Sequence, residues 1–367
     1  MLTLVLFLLC QEAPIEVPLP AGVDASKPFR VVRVDGGNEV PARAAGTSLI
    51  LLAKNEAADY RIEAVAPAGS PAVAIVDDGK SYDVRVGAKN RLRYHYAVVD
   101  QPDPVFSRSG YLHPVWTPSG KTITNDSPPN HLHHHGIWSA WTSSEYDGRK
   151  SNFWESKEKQ GRVEGVRAKP TAAGPVYGGF RADHRYVTLS GPDAPKAVLD
   201  ETWDVRLYAL PDLSVFDLTL TQTASTDKPL VIKEYRYGGL GFRGAADWEG
   251  KDGVQFLTSE GKGRVEGHAT KARWCIASGK VDGAEVSVGF LCHPSNFRAP
   301  QPMRIHPDEP FFNWAVPQGG EFAIEPGKPY VARYRFIVAD GKLTADEMNA
   351  AWSAYGEPPK VTLTVAK

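Results

Sequence analysis

Four of the ten histidines in this 367-residue chain fall within five positions, His131-Leu-His133-His134-His135, and His113 stands shortly upstream. Neutral imidazole near pH 7 donates and accepts hydrogen bonds, transfers protons and ligates transition metals, so the tract marks a candidate site. If 131–135 is extended, His131, His133 and His135 share one face and His134 points to the other. Two histidines at i and i+2, joined by a remote ligand, can then hold one divalent ion such as Zn, Fe, Cu or Ca. His131, His133 and His113 form that expected set, with Asp126, Glu145 and Glu155 as other candidates for the remote position. The metal-free alternative makes His133 and His134 the acid/base pair, supported by His113 and His131. A purely structural role, in which the imidazoles bond the backbone of a loop, competes with both.

Trp116, Trp138, Trp141 and Trp154 crowd the same segment. Indole stacks on the apolar face of a sugar ring and leaves its N–H free for a hydroxyl, or else it fills a large core. The first use makes Trp138 and Trp154 saccharide-binding residues, with Glu155 beside them. A second polar group follows far along the chain in Cys292-His293-Pro-Ser-Asn296-Phe-Arg298, with Arg304 close behind. There His293 is a further catalytic candidate at the end of a predicted strand. Asn296 and Arg304 are binding candidates, Arg304 as a clamp for a carboxylate or hydroxyls. Glycoside hydrolysis needs two carboxylates, and Glu155 with Glu201 is the expected pair. Arg181, His184, Glu201 and Glu234 lie on strand-like text and equally fit buried pairs. No Gly-rich phosphate loop, serine nucleophile elbow or Cys-x-x-Cys pattern occurs.

The elements that must position these groups are short. With 34 Gly and 29 Pro, the chain is punctuated too densely for a helix bundle. Runs rich in β-branched and aromatic residues, bounded by Gly, Pro, Asn or Asp, predict strands at 29–34, 48–53, 60–65, 73–76, 82–86 and 92–99. They resume at 197–209 and 213–222, which read as a long hairpin, and continue to about 338. One helix is signalled, by the capping box Thr344-Ala-Asp-Glu347 and the stop at Gly356. The fold expected is all-β: a large antiparallel β-sandwich, supersandwich-like, with one short C-terminal helix. Its expected divisions are a signal or lipoprotein-type leader at 1–15, an N-terminal β sub-sheet at 16–90 and a main sandwich at 91–367.

The apolar run at 2–9 is too short to cross a bilayer, which takes about 20 residues, but fits the core of a secretory leader. Cys10 directly after it also fits lipid attachment, so export is expected, to the periplasm, the medium or a lipid anchor. A net charge of −1 gives no basic field for nucleic acid or anionic membrane, and no transmembrane segment is expected. In an exported chain Cys275 and Cys292 face a choice between a cross-strand disulfide and two buried thiols. The bridge requires a loop at 282–285 that sets Val281 opposite Val286.

Tyr111-Leu-His113-Pro with Thr117-Pro-Ser-Gly120, Pro128-Pro-x-His131-x-His133-His134-x-Gly136-Ile-Trp138, and His293-Pro-Ser-Asn296 with Pro300 and Arg304 together resemble the bacterial PmoA family. The resemblance spans about residues 90–340. Asn130, Leu132 and His135 depart from the family's usual Asp, Pro and Arg or Gln. The methane-oxygenase label attached to that family implies a membrane protein, whereas this chain's mean hydropathy is −0.32. What the resemblance implies is a secreted β-sandwich similar in strand pattern to galactose-mutarotase-like proteins, working in sugar catabolism. The function expected is therefore an exported carbohydrate-active enzyme of hydrolase, lyase or epimerase type, taking a small saccharide or oligosaccharide. A metal-dependent oxidoreductase or hydrolase, and a non-catalytic glycan-binding protein, are the alternatives.

Overall fold

The computed structural model describes residues 12–64 and 72–366. The apolar run at 2–9 and Cys10 lie outside the described residues. Two antiparallel eight-stranded sheets face each other across one core, as the alternating text requires. The first sheet runs, edge to edge, through Met303–Ile305, Phe311–Trp314, Gly239–Arg243, Ile137–Ala140, Tyr111–Val115, Lys89–His95, Ser81–Val86 and Val73–Asp77. The second runs through Gly161–Ala172, Tyr177–Thr188, Lys196–Tyr208, Ser214–Ala224, Tyr330–Asp340, Ala284–Cys292, Trp274–Val281 and Val254–Thr258. Side chains alternate across each strand. In Lys196–Tyr208 the residues Glu201, Trp203, Val205 and Leu207 face the core, while Asp200, Thr202, Asp204 and Arg206 face outward. The long hairpin expected from the sequence is the pairing of this strand with Ser214–Ala224.

The outer face of the second sheet is closed over Trp274, Ile276, Leu291 and Ile337 by the helix Ala345–Gly356, which contributes Met348, Ala351 and Trp352. Each large apolar side chain removed from water there contributes about 1.5–3 kcal/mol. The capping box forms as written: the Thr344 hydroxyl accepts from the Glu347 backbone and the Glu347 carboxylate accepts from the Thr344 backbone.

The N-terminal sub-sheet is narrower than 16–90. Val73–Asp77 pairs with Ser81–Val86, which pairs with Lys89–His95 across a tight turn, so both join the first large sheet instead. The remaining early strands form two small sheets around Ile15, Val31, Leu49, Leu51 and Ile62. The C-terminal strand Val361–Val365 joins one of them, parallel to Ala58–Ala64.

Of the two alternatives for Cys275 and Cys292, the structure has the two buried thiols and not the disulfide. Asp282 and Gly283, at φ of 47° and 75°, make a two-residue turn of the kind that matches strand twist. Val281 therefore faces Ala284, Cys275 faces Phe290, and both thiols are free and buried. Among the described residues no helix is long and apolar enough to cross a membrane.

Candidate active site

The histidine tract is not extended. Leaving the isolated bridge between Asp126 and His135, the chain folds back through two consecutive turns, closed by the backbone bonds His131 N–H to Pro128 and His134 N–H to His131. Pro128 and Pro129 favour the first turn. Gly136, at φ of 60°, then lets the chain pass into Ile137–Ala140; a Cβ there would stand 2.2 Å from the Leu112 carbonyl oxygen. The turns replace the expected 131/133/135 face with a different grouping. The His131, His133 and His134 rings meet at 4.7–5.7 Å, and the His306 ring lies 6.0 Å from His131.

His135 turns the other way. Its Nδ1 meets Asp126 at 2.8 Å, and the Tyr111 hydroxyl donates to the same carboxylate at 2.8 Å. His113 belongs to this second group: its Nδ1 meets the Thr124 hydroxyl at 3.0 Å, and its charged neighbours are Asp126, His95 and His135. The expected metal set is therefore not assembled, since His113 is held among other partners. Among the described residues no three His, Cys, Asp or Glu side chains stand together as metal ligands.

His134 is also withdrawn from solvent. It stacks on Phe311 at 4.8 Å and lies against Trp138, above the buried Trp154. Trp138, at 0% exposure, and Trp154, at 1%, are the floor beneath the histidines and cannot stack on a ligand. Their apolar mass is what this large site was built on, the core role open to any Trp.

Beneath the cluster sits a cation the sequence did not announce. Arg243, fully buried at the end of Gly239–Arg243, pairs with Glu249 and, at 2.5 Å, with Glu309, and donates to Asn130 Oδ1 at 3.0 Å. Asn130 in turn donates to Glu309 at 2.8 Å. The loop 125–136, the turn after Arg243 and the loop before Phe311 are thereby tied together. His131 Nδ1 stands 3.4 Å from Glu309 but is not aligned for a hydrogen bond.

His133 Nε2 stands 3.2 Å from Glu155 Oε1, and the Tyr237 hydroxyl donates to the same oxygen at 3.3 Å. Asn152 Oδ1 fixes the segment by accepting the backbone N–H groups of both Trp154 and Glu155 at 3.0 Å. Burial is the leading influence on both members of the His133–Glu155 contact, and it favours the uncharged form of each. It lowers His133 to about 3 and raises Glu155 above the ordinary carboxylate range. The contact is thus a neutral imidazole beside a carboxyl poised nearer neutrality, and not an ion pair. Burial also lowers His306, to about 4. Its Nδ1 accepts the backbone N–H groups of Asp308 and Glu309, so in the neutral ring the hydrogen is on Nε2.

Arg304 lies beside this group. It donates to His268 Nε2 at 3.2 Å, and its titratable neighbours are Arg236, Tyr237 and Tyr235. The other expected residues go elsewhere. His293 bonds Ser295 and lines a cavity of about 610 Å³ on the outer face of the second sheet among Asp204, Asp217, Arg333 and Arg335. Asn296 staples a turn, exchanging hydrogen bonds with the Arg333 backbone at 2.7 and 2.8 Å. Glu201 is sealed between the sheets, bonded to His184, Tyr186 and Gln222. It is the buried pair that strand alternation allowed, so it cannot partner Glu155 in hydrolysis. His306, Glu309, Tyr237 and Arg243 were missed. The signals on offer were the aromatic–basic run Tyr235-Arg-Tyr237 and the place of His306 two residues after Arg304 in the second polar group, where the text gave it no role.

Fold and site together define an antiparallel two-sheet β-sandwich with a histidine–carboxylate cluster where three strands of one sheet meet. Residues 81–353 match the family described as "Family of unknown function (DUF6807)", and the chain belongs to that family. The description attaches no activity, and the likeness to the PmoA family stays a resemblance of motifs. No curated protein sequence matches the chain significantly. Among solved structures, a putative aldose 1-epimerase from Klebsiella pneumoniae subsp. pneumoniae aligns over 82% of this chain and 92% of its own, at 11% identity and a TM-score of 0.35. A galactose mutarotase related enzyme from Lactobacillus acidophilus aligns over 74% and 100%, at 10% identity and a TM-score of 0.33. The heparan sulfate lyase HepC from Pedobacter heparinus aligns over 77% of this chain but only 38% of its own, at 9% identity and a TM-score of 0.32. All three scores lie too low to say how this chain works.

Proposed function

We propose that this chain is an exported carbohydrate-active enzyme whose chemistry is proton transfer by Glu155. The observation that carries the reading is the single carboxylate oxygen of Glu155 approached by both His133 Nε2, at 3.2 Å, and the Tyr237 hydroxyl, at 3.3 Å. A carboxyl raised toward neutrality by burial is suited to take and return a proton. Around it, His131, His133 and His306 are neutral imidazoles, able to donate to an oxygen on which charge develops. Partly exposed Tyr235 and Tyr237, packed ring to ring at 5.0 Å, replace the buried tryptophans as the surface a sugar ring can lie on.

The test is turnover by the full chain on a panel of oligosaccharides, followed by new reducing ends, by ultraviolet absorbance of unsaturated products and by NMR of epimerised ones. Glu155→Gln should abolish whichever signal the wild type gives. Binding of a saccharide by wild type with no turnover on any substrate would instead identify a glycan-binding protein. Export belongs to the same proposal. Processing or lipid attachment near Cys10 in the native host, read by mass spectrometry, checks it.

A further inference from the structure

Beside the Glu155–His133 contact lies a cavity of about 450 Å³ lined by Tyr235, Arg236, His268, Lys271, Gln318 and, as its one acid, Glu234. Arg304 stands immediately behind it, donating to the lining residue His268 at 3.2 Å. Three cations thus converge on a space with one carboxylate in its wall. The cavity and the cluster share a wall as well: the Arg236 guanidinium sits 5.4 Å over the Tyr237 ring, whose hydroxyl reaches Glu155.

Among the described residues none of these three cations is ion-paired with a carboxylate. The charged neighbours acting on Arg304 are Arg236, a like charge, and the two weakly acidic tyrosines. Arg236 is likewise faced by Tyr235 and Tyr237, and Lys271 is exposed on the rim. The cavity beside His293, by contrast, holds two ion pairs, Arg335 with Asp217 and Arg206 with Asp204. His268 positions Arg304. With Nε2 accepting from Arg304, the neutral ring carries its hydrogen on Nδ1, and that buried atom has no partner among the described residues. Holding three like charges together against one acid, Glu234, costs stability, and a bound anion lowers that cost.

We infer that this cavity holds the anionic group of an acidic saccharide, a uronate carboxylate or a sulfate ester, and sets the sugar's neighbouring ring against Glu155. Guanidinium suits either group through paired N–H donors, and Tyr235 and Tyr237 supply the face for the ring that carries it. This inference rests on the proposed saccharide chemistry and names its substrate class.

The experiment measures binding of trigalacturonate, a sulfated trisaccharide and neutral maltotriose to the full chain by calorimetry, at low and high salt. At least one acidic ligand should bind tenfold or more tightly than maltotriose, with a preference that shrinks as salt rises. The doubly substituted chain Arg236→Gln/Lys271→Gln, altered only at exposed residues, should lose about tenfold or more in acidic-ligand affinity and nothing for maltotriose. Which acidic ligand wins tells carboxylate from sulfate. Equal binding of all three ligands, or a preference that survives both substitutions, overturns the inference. Turnover that needs Glu155 but ignores charge would leave the proposed function standing without this cavity. An acidic preference with no turnover would do the reverse.

Discussion

Replacing Arg243 by leucine tests the claim that a buried cation organises the site. Arg243 is fully buried and joins Glu249, Glu309 and Asn130 from three separate segments. Removing one partner of a buried pair typically costs about 3–5 kcal/mol, because the other charge is left uncompensated. Two features place this case at or below the lower end. The Glu249 side chain is 32% exposed and can rehydrate, and Glu309, at 16%, keeps its hydrogen bonds from Asn130. Arg243 Nε is itself buried without a partner, so its loss returns part of the cost. The expected destabilisation is about 2–3 kcal/mol, read from the urea midpoint with an unchanged slope. Glu309→Gln added to Arg243→Leu should cost less than the two changes separately, by about 1 kcal/mol, since the stranded charge is gone. A loss below about 1 kcal/mol, or strict additivity, would refute the organising role.

Three further outcomes are expected. Stability should fall as pH drops from about 7 toward 4, because His113, His133 and His306 are lowered to about 4, 3 and 4 in the folded chain. In that window the unfolded chain binds protons the folded chain does not, so the sign is destabilising; His133→Gln should flatten the curve measured by urea titration across pH. Asp126→Asn should cost about 2 kcal/mol by removing the charge and leaving one amide oxygen where two carboxylate oxygens met His135 and Tyr111, while leaving KM of the folded fraction unchanged. Thiol alkylation followed by mass spectrometry should label Cys275 and Cys292 only after denaturation, and a crosslinked pair would contradict the register at Asp282-Gly283.

The strands and the helix were legible because each rests on local text: period-two alternation for Lys196–Tyr208, and a capping box for Ala345–Gly356. Pairing was less so. The text left the length of the turn at 282–285 open, and two residues there shift the Cys275 register by two; a strand pairing across the chain, Val361–Val365 with Ala58–Ala64, leaves no local mark. In the site, residue type located the region but not the roles. His131, His133, His134 and His135 are alike in the sequence, and only the turns of 128–134 decide which reach a ligand. Trp138 and Trp154 show the same limit: a large indole near polar residues reads as a sugar platform until its burial is known. Arg243 and Glu309, separated by many residues, meet through sheet topology alone.

Among hydrolysis, elimination and epimerisation, the arrangement of carboxylates favours the latter two. Hydrolysis of the usual kind needs a second free carboxylate across the sugar from the first. Glu201 is sealed in the core, and Glu309 is held by Arg243 and Asn130. Of the two carboxyls in contact with His131 or His133, that leaves Glu155 as the one without an arginine partner. One base with several neutral imidazole donors suits removal of a proton next to a carbonyl or carboxylate, whose oxygen gains charge as the proton leaves. Activity should then be lost as pH falls through the raised Glu155 value, since the base must be ionised. Products formed in deuterated water should carry solvent deuterium at carbon if the substrate is epimerised, or an unsaturated ring if it is cleaved by elimination. Incorporation of oxygen from labelled water at the anomeric carbon, with neither of those marks, would show hydrolysis and return Glu309 to consideration as the second carboxylate.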